Sequence, residues 1–105
     1  MNEMEVTVEE ASEMISRDSA VLLDVRENWE RDICVIENDV HIPMREIQSR
    51  LDELPKEKKI IVYCHTGNRS LKAAAFLQQM GFNAVSMKGG VEDWALKIDK
   101  SMGRY

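Results

Sequence analysis

The chain has 105 residues, 44% hydrophobic and 31% charged, which is enough for one small core and too balanced for a disordered or fibrous chain. With 14 Lys and Arg against 19 Asp and Glu, the formal charge is −5, which argues against nucleic acid as the main partner. An anionic ligand would have to be attracted by a local site, because the overall field repels it.

Met1 to Val6 reads as a frayed end that leads into a short edge strand near Glu5 to Thr7. Thr7-Val8-Glu9-Glu10 fits a capping box, with Thr7 as cap and Glu10 reaching back. Ala11, Met14 and Ile15 give the apolar face of a helix ending near Arg17, and Asp18-Ser19 is a turn. Val21 to Val25 is an apolar run suited to a strand buried on both faces, with Asp24 and Arg26 at its C-terminal end. Glu27 to Asp32 reads as a short helix, in which Trp29 is expected to pack in or at the rim of the core.

Val40-His41-Ile42 is a brief strand, and Pro43 suits the first position of a helix. Met44, Ile47, Leu51 and Leu54 share one face of that helix, with Arg45, Glu46, Gln48 and Arg50 outward. Pro55 to Lys58 is a charged turn. Ile60 to Tyr63 is again a strand with two buried faces.

Cys64 follows, then His65, Thr66, Gly67 and Asn68, after which Arg69 and Ser70 open a helical pattern. Leu71 to Met80 favours helix and Gly81 stops it. A cysteine is thus predicted on a tight loop between a buried strand and a helix N-terminus. Backbone N–H groups in such a loop can form a nest for an anion, and the helix end adds partial positive charge. That setting favours the thiolate, the nucleophilic form of cysteine. Ala84 to Met87 is a final strand, Gly89-Gly90 lets the backbone turn closely beside the loop, and Val91 to about Ile98 is a last helix anchored by Trp94. Strands alternating with helices predict a parallel sheet with helices on both faces.

In open parallel sheets, ligands collect beyond the C-terminal ends of the strands. Asp24 is therefore expected to orient the Cys64 loop by pairing with Arg69 or with loop N–H groups, the plain alternative being a cap carboxylate. Arg26 reads equally well as a supporting residue or as a solvated surface charge. His65 and Thr66 are expected to line the loop, His65 adding charge when protonated and Thr66 a hydroxyl donor, the plain alternative being that both side chains point to solvent. Gly67 is assigned unusual backbone angles or close approach to a bound anion, Arg69 a clamping role in preference to binding the donor's oxyanion, and Ser70 a hydrogen bond near the helix start.

The segment Cys64-His65-Thr66-Gly67-Asn68-Arg69-Ser70 resembles the C-x-x-G-x-R-S active-site loop of single-domain rhodaneses, sulfurtransferases that carry sulfur as a cysteine persulfide. Leu22-Leu23-Asp24-Val25-Arg26-Glu27-Asn28-Trp29-Glu30 is similar to their LLDVRE-x-WE segment, Ile42-Pro43 to their NIP turn, and Gly89-Gly90-Val91-Glu92-Asp93-Trp94 to their GG-[IV]-x-x-W. The resemblance implies one rhodanese-like domain over residues 1–105, α/β with three layers and a central, mostly parallel five-stranded sheet. It also implies Cys64 as the catalytic nucleophile and residues His65 to Ser70 as the substrate loop. Sulfur would pass from thiosulfate or a protein persulfide to cyanide, a thiol or a sulfur-carrier protein, in two displacements without metal or organic cofactor.

The chain departs from the family at Cys34-Val35-Ile36-Glu37-Asn38-Asp39, where rhodaneses show GHIxGA: Val35 replaces the histidine and Asn38 the glycine. Asn tolerates left-handed backbone, so the turn is expected to survive. The segment from Trp94 to Tyr105 also resembles the end of rhodanese domains fused to ubiquitin-activating-like enzymes. The enzyme alternative is a cysteine phosphatase or arsenate reductase on the same scaffold, but tyrosine-phosphatase-like sites have one more residue between Cys and Arg, so the shorter loop here suits a single sulfur atom better than a phosphate. A non-catalytic or redox-sensing binding module of the same fold is the reading from a different class.

Cys34 and Cys64 form no C-x-x-C, and with two isolated histidines no zinc-ligand spacing arises. Cys34 is expected to be structural, its minor alternative being to resolve an oxidised Cys64 as a disulfide. Without an apolar N-terminal run or a membrane-length segment, the sequence points to a monomer with free thiols in a reducing, cytoplasmic setting, with no membrane partner.

Overall fold

A computed structural model describes residues 4–105; residues 1–3 of the predicted frayed end lie outside the described residues. Strands β1 (Glu5–Val6), β2 (Ala20–Asp24), β3 (Val40–His41), β4 (Lys59–Tyr63) and β5 (Ala84–Met87) form one sheet in the order β1-β5-β4-β2-β3. Every pairing is parallel. Between them run the helices α1 (Val8–Ser16), α2 (Asn28–Ile33), α3 (Asn68–Gln79) and α4 (Gly90–Lys97), plus a 3₁₀ segment, Met44–Glu53. The predicted three-layer α/β architecture is the one observed.

The register explains the two cores. Leu22, Ile61 and Val85 stand opposite one another on one face, and Leu23 and Val62 on the other. Because side chains alternate along a strand, the first set joins Val8, Ala11, Val91 and Trp94 under α1 and α4. The second joins Ala73, Ala74 and Leu77 of α3 and Ile47 of the 3₁₀ segment. β4 is the middle strand, and Ile60, Ile61, Val62 and Tyr63 are all 0% exposed. Its run of β-branched residues reflects burial on both faces.

Local signals hold at most boundaries. Thr7 Oγ1 accepts from the Glu10 N–H at 3.1 Å while Glu10 Oε1 accepts from the Thr7 N–H at 2.8 Å, closing the predicted capping box. Asn38 sits at φ +68, so the turn that lost its glycine keeps a left-handed residue. Two expectations are corrected. Pro43 is the cap, with extended ψ of 147, and not the first helical residue. The segment after it is 3₁₀ and breaks at Arg50 (φ −126, ψ 25), where a continuous α-helix was expected. Ile47 and Leu54 still reach the core across the break.

Trp29 is the third correction. It is 60% exposed and lies edge-on to Tyr105, 5.8 Å between ring centroids. The short α2 buries Glu30 instead, and Glu30 and Trp29, being adjacent in sequence, project in different directions from the helix.

Candidate active site

β4 ends at Tyr63, and the chain turns through Cys64, His65, Thr66 and Gly67 into α3. Gly67 caps the helix at φ +112, ψ −11, a left-handed conformation that an L side chain rarely adopts. This turn sends the Gly67 N–H to Cys64 Sγ at 3.1 Å, and the Ser70 N–H reaches the same sulfur at 3.3 Å. Ser70 Oγ lies 3.4 Å from Sγ, donates to Gly67 O at 3.2 Å, and is 2.7 Å from Ser86 Oγ on β5. With Ser86 as donor to Ser70, the Ser70 proton can turn towards a sulfur anion. Two main-chain amides and a hydroxyl thus converge on one sulfur at the positive end of a twelve-residue helix. Among the described residues, the N–H groups of His65, Thr66, Asn68 and Arg69 have no protein acceptor, which leaves donors for an added anionic atom.

Cys64 is only 1% exposed, so its sulfur is the floor of the cradle, open at most to a slender group. The wall opposite is the β5–α4 turn. Val91 N–H donates to Cys64 O at 2.9 Å and Glu92 N–H to His65 O at 3.1 Å. Gly90, at φ +62, has no room for a side chain: a Cβ there would lie 2.4 Å from His65 O. Thr66 is exposed, and Asn68 begins α3.

Arg69 is clamped, but not by Asp24. Its two terminal nitrogens donate to Glu30 Oε1 at 2.8 Å and Oε2 at 2.7 Å, a bidentate pair that the sequence reading missed. Asp24 is taken up closer to home: its Oδ1 accepts from the Arg26 main-chain N–H and from Arg26 Nε, both at 2.9 Å, and its Oδ2 accepts from Arg31 at 2.7 Å. An Asp two residues before an Arg bonds that residue's amide locally, and the guanidinium folds back onto the same carboxylate. Arg26 is therefore no solvated surface charge. It is 0% exposed and also donates to Cys34 O at 2.7 Å and Tyr105 Oη at 3.0 Å. Arg31 and Asp39 extend the cluster, and Tyr63 Oη donates to Asp39 at 2.6 Å. The atypical segment after α2 is thus held from inside by Arg26 and Tyr63.

The one sequence signal for Glu30 was its spacing from Glu27. Its Oε1 accepts from the Glu27 N–H at 2.9 Å, the reciprocal bond of a capping box. For Tyr105, whose hydroxyl donates to Glu30 Oε2 at 2.8 Å and whose ring stacks on His65, residue spacing gave no signal.

Burial alone would raise the Glu30 carboxyl, but the Arg69 hydrogen bonds, helped by the Glu27 N–H and Tyr105, hold it down at about 2. A carboxyl lowered from its ordinary 4.5 contributes stability above that pH, and loses it as the pH falls towards 2. The difference corresponds to about 3 kcal/mol. Glu30→Gln should therefore flatten the acid limb of the stability curve in that window, measured as urea midpoints against pH. Parallel acid limbs would show that Glu30 is not held ionised by this network.

The rhodanese-like domain family matches residues 7–97. A sulfurtransferase of Allochromatium vinosum is 34% identical over 93 residues, covering 87% of this chain and 87% of that protein. A thiosulfate sulfurtransferase, GlpE, of Coxiella burnetii is 35% identical over 86 residues, 81% of this chain and 80% of its own length. The crystal structure of a rhodanese-related protein from Thermoplasma volcanium superposes with a TM-score of 0.84 at 34% identity, covering 90% of this chain and 92% of that one. With the fold, the cysteine loop and these relatives in agreement, the chain belongs to the rhodanese-like family, among proteins of the sulfurtransferase kind.

Proposed function

We propose that this protein is a sulfurtransferase that carries sulfane sulfur as a Cys64 persulfide, on one domain spanning residues 1–105. The observation that carries the reading is the convergence of the Gly67 and Ser70 amides and the Ser70 hydroxyl on Cys64 Sγ. In the first step the Cys64 thiolate attacks the outer sulfur of thiosulfate. The new S–S bond forms as the donor's S–S bond breaks, and sulfite leaves with the electron pair. The product, Cys64-S-S⁻, carries its charge on the outer sulfur, where fixed loop amides stabilise it without reorganising. In the second step a nucleophile takes that sulfur and returns the thiolate. His65 and Thr66 flank the loop, Asn68 and Arg69 supply helix-end amides, and Asp24 and Arg26 support the floor beneath.

A buried thiol admits a donor that presents one atom in line, which fits the terminal sulfur of thiosulfate or of a protein persulfide. A relative in Bacillus subtilis is named a putative sulfur carrier protein; it is 34% identical over 97 residues, and this chain spans 52% of it. That relation supports a protein-bound thiol or carrier as the physiological acceptor, with cyanide as an assay substitute. The two cysteines are free, and no helix among the described residues is long and apolar enough to cross a membrane. We place the protein as a monomer in the reducing cytoplasm.

The test is mass spectrometry after treatment with thiosulfate or a persulfide donor, comparing wild type with Cys64→Ser. A reducible gain of one sulfur atom on the Cys64 peptide, absent from the variant, is expected. No gain with either donor would favour a redox-sensing or binding module, a reading that the burial of Cys64 keeps open.

A further inference from the structure

We propose that Tyr105 is a positioning residue for the Cys64 loop, one side chain that braces both ends of it. This rests on the loop being the sulfur-carrying site. The first brace is the ring: it stacks on His65, the residue after Cys64, with 3.8 Å between centroids and 12° between planes. The second is the hydroxyl, which accepts from Arg26 Nη1 at 3.0 Å and donates to Glu30 Oε2 at 2.8 Å. Glu30 in turn holds both terminal nitrogens of Arg69, five residues after Cys64. The loop is thus gripped at His65 directly and at Arg69 through Glu30.

The tail that delivers Tyr105 is itself held. Asp99 Oδ1 accepts from the Ser101 N–H at 3.1 Å, Met102 N–H donates to Asp99 O at 3.2 Å, and Arg104 pairs with Glu92 of α4. Glu92 is also the residue whose N–H holds His65 O, so α4 fixes both the tail and the loop it covers. Burial raises the Tyr105 phenol to about 12, while Arg26 opposes and Glu30 adds to the rise, so the hydroxyl stays protonated and able to donate. The consequence is functional. A loop held at two points keeps the Gly67 and Ser70 amides on the sulfur and keeps Cys64 covered.

The experiment uses the full chain as wild type, Tyr105→Phe and Tyr105→Ala, with two readouts. The first is the rate of Cys64 carbamidomethylation by iodoacetamide, which releases iodide, followed on the Cys64 peptide. The second is kcat and KM for sulfur transfer from thiosulfate to cyanide. With both braces gone, Tyr105→Ala should alkylate about tenfold faster and turn over about tenfold more slowly, the effect falling on kcat because the amides that bind the outer sulfur are displaced. Tyr105→Phe keeps the stack and should fall between, with the upfield ring-current shift of the His65 proton resonances preserved. With wild-type melting temperatures, an order of wild type, Phe and Ala in both readouts, with the His65 ring-current shift kept in Phe and lost in Ala, distinguishes loss of the two braces from general loosening.

Wild-type alkylation and wild-type kcat in Tyr105→Ala would overturn the assignment. Wild-type protein that turns over no thiosulfate would instead count against the sulfur-transfer reading, and the alkylation rates would still decide whether Tyr105 holds the loop.

Discussion

Gly67→Val should abolish sulfur loading of Cys64 while the domain stays folded. Gly67 holds φ +112, where a β-branched residue is among the least tolerated, and its Cβ would come within 3.3 Å of the Gly89 N. The strain is relieved by rotating the peptide between residues 66 and 67, and that rotation takes the Gly67 N–H off the sulfur. Losing one preorganised donor to a developing negative charge costs on the order of a hundredfold or more in rate. The rest of the chain has little reason to follow, because β4 is buried in the sheet and α3 keeps Ala73, Ala74 and Leu77 in the core. Mass spectrometry after thiosulfate treatment and a thermal melt of the same sample check both halves. Normal loading would show that the backbone cradle is not required.

Arg26→Met should be the most destabilising single change in the network beneath the site. Arg26 is fully buried, and its guanidinium is held above its ordinary value: burial opposes the charge, but the Asp24 and Tyr105 hydrogen bonds and the Asp24 charge outweigh it. It also lies 5.3 Å from the Tyr63 ring centroid. Removing it leaves Asp24 and Asp39 sharing Arg31 alone, a net negative charge out of water. Breaking such a pair costs about 3–5 kcal/mol, or roughly 12 °C or more in Tm for a domain of this size. Asp24→Asn combined with Arg26→Met should recover part of the loss, since the orphaned charge is then gone. Strict additivity of the two single changes in a double-mutant cycle would contradict the pairing.

These two residues mark how far the sequence could be read. Gly67 announced itself, because a glycine after a buried strand and before a helix has few other reasons to be there. The strands β2 and β4 were equally plain: two-sided burial selects unbroken runs such as Ile60-Ile61-Val62, placed to within one residue of their observed ends. Thr7 and Glu10 announced a helix start, and Asn38 a surviving turn. Charge partners were another matter. Asp24 and Glu30 both lie near the C-terminal end of β2, and both were within reach of an arginine. Choosing between them needs the direction of α2, which follows from burying Glu30 and exposing Trp29, against the usual preference of both residues. Pairing is decided by three-dimensional packing: Arg69 is separated from Glu30 by β3, the 3₁₀ segment and β4. Tyr105 was hidden for the same reason, its partners lying in α2, the β2–α2 turn and the Cys64 loop.

The most direct test is a pair of ¹H–¹⁵N spectra of the wild-type protein, before and after loading with thiosulfate. The amide protons of Gly67 and Ser70 already point at Cys64 Sγ, and those of His65, Thr66, Asn68 and Arg69 are unpaired among the described residues. If these amides hold the outer sulfur, their protons should move downfield together on loading, with β1 and the far end of α3 unmoved, and cyanide should return the original spectrum. A sample shown by mass spectrometry to carry the extra sulfur, yet with unshifted loop amides, would contradict the cradle.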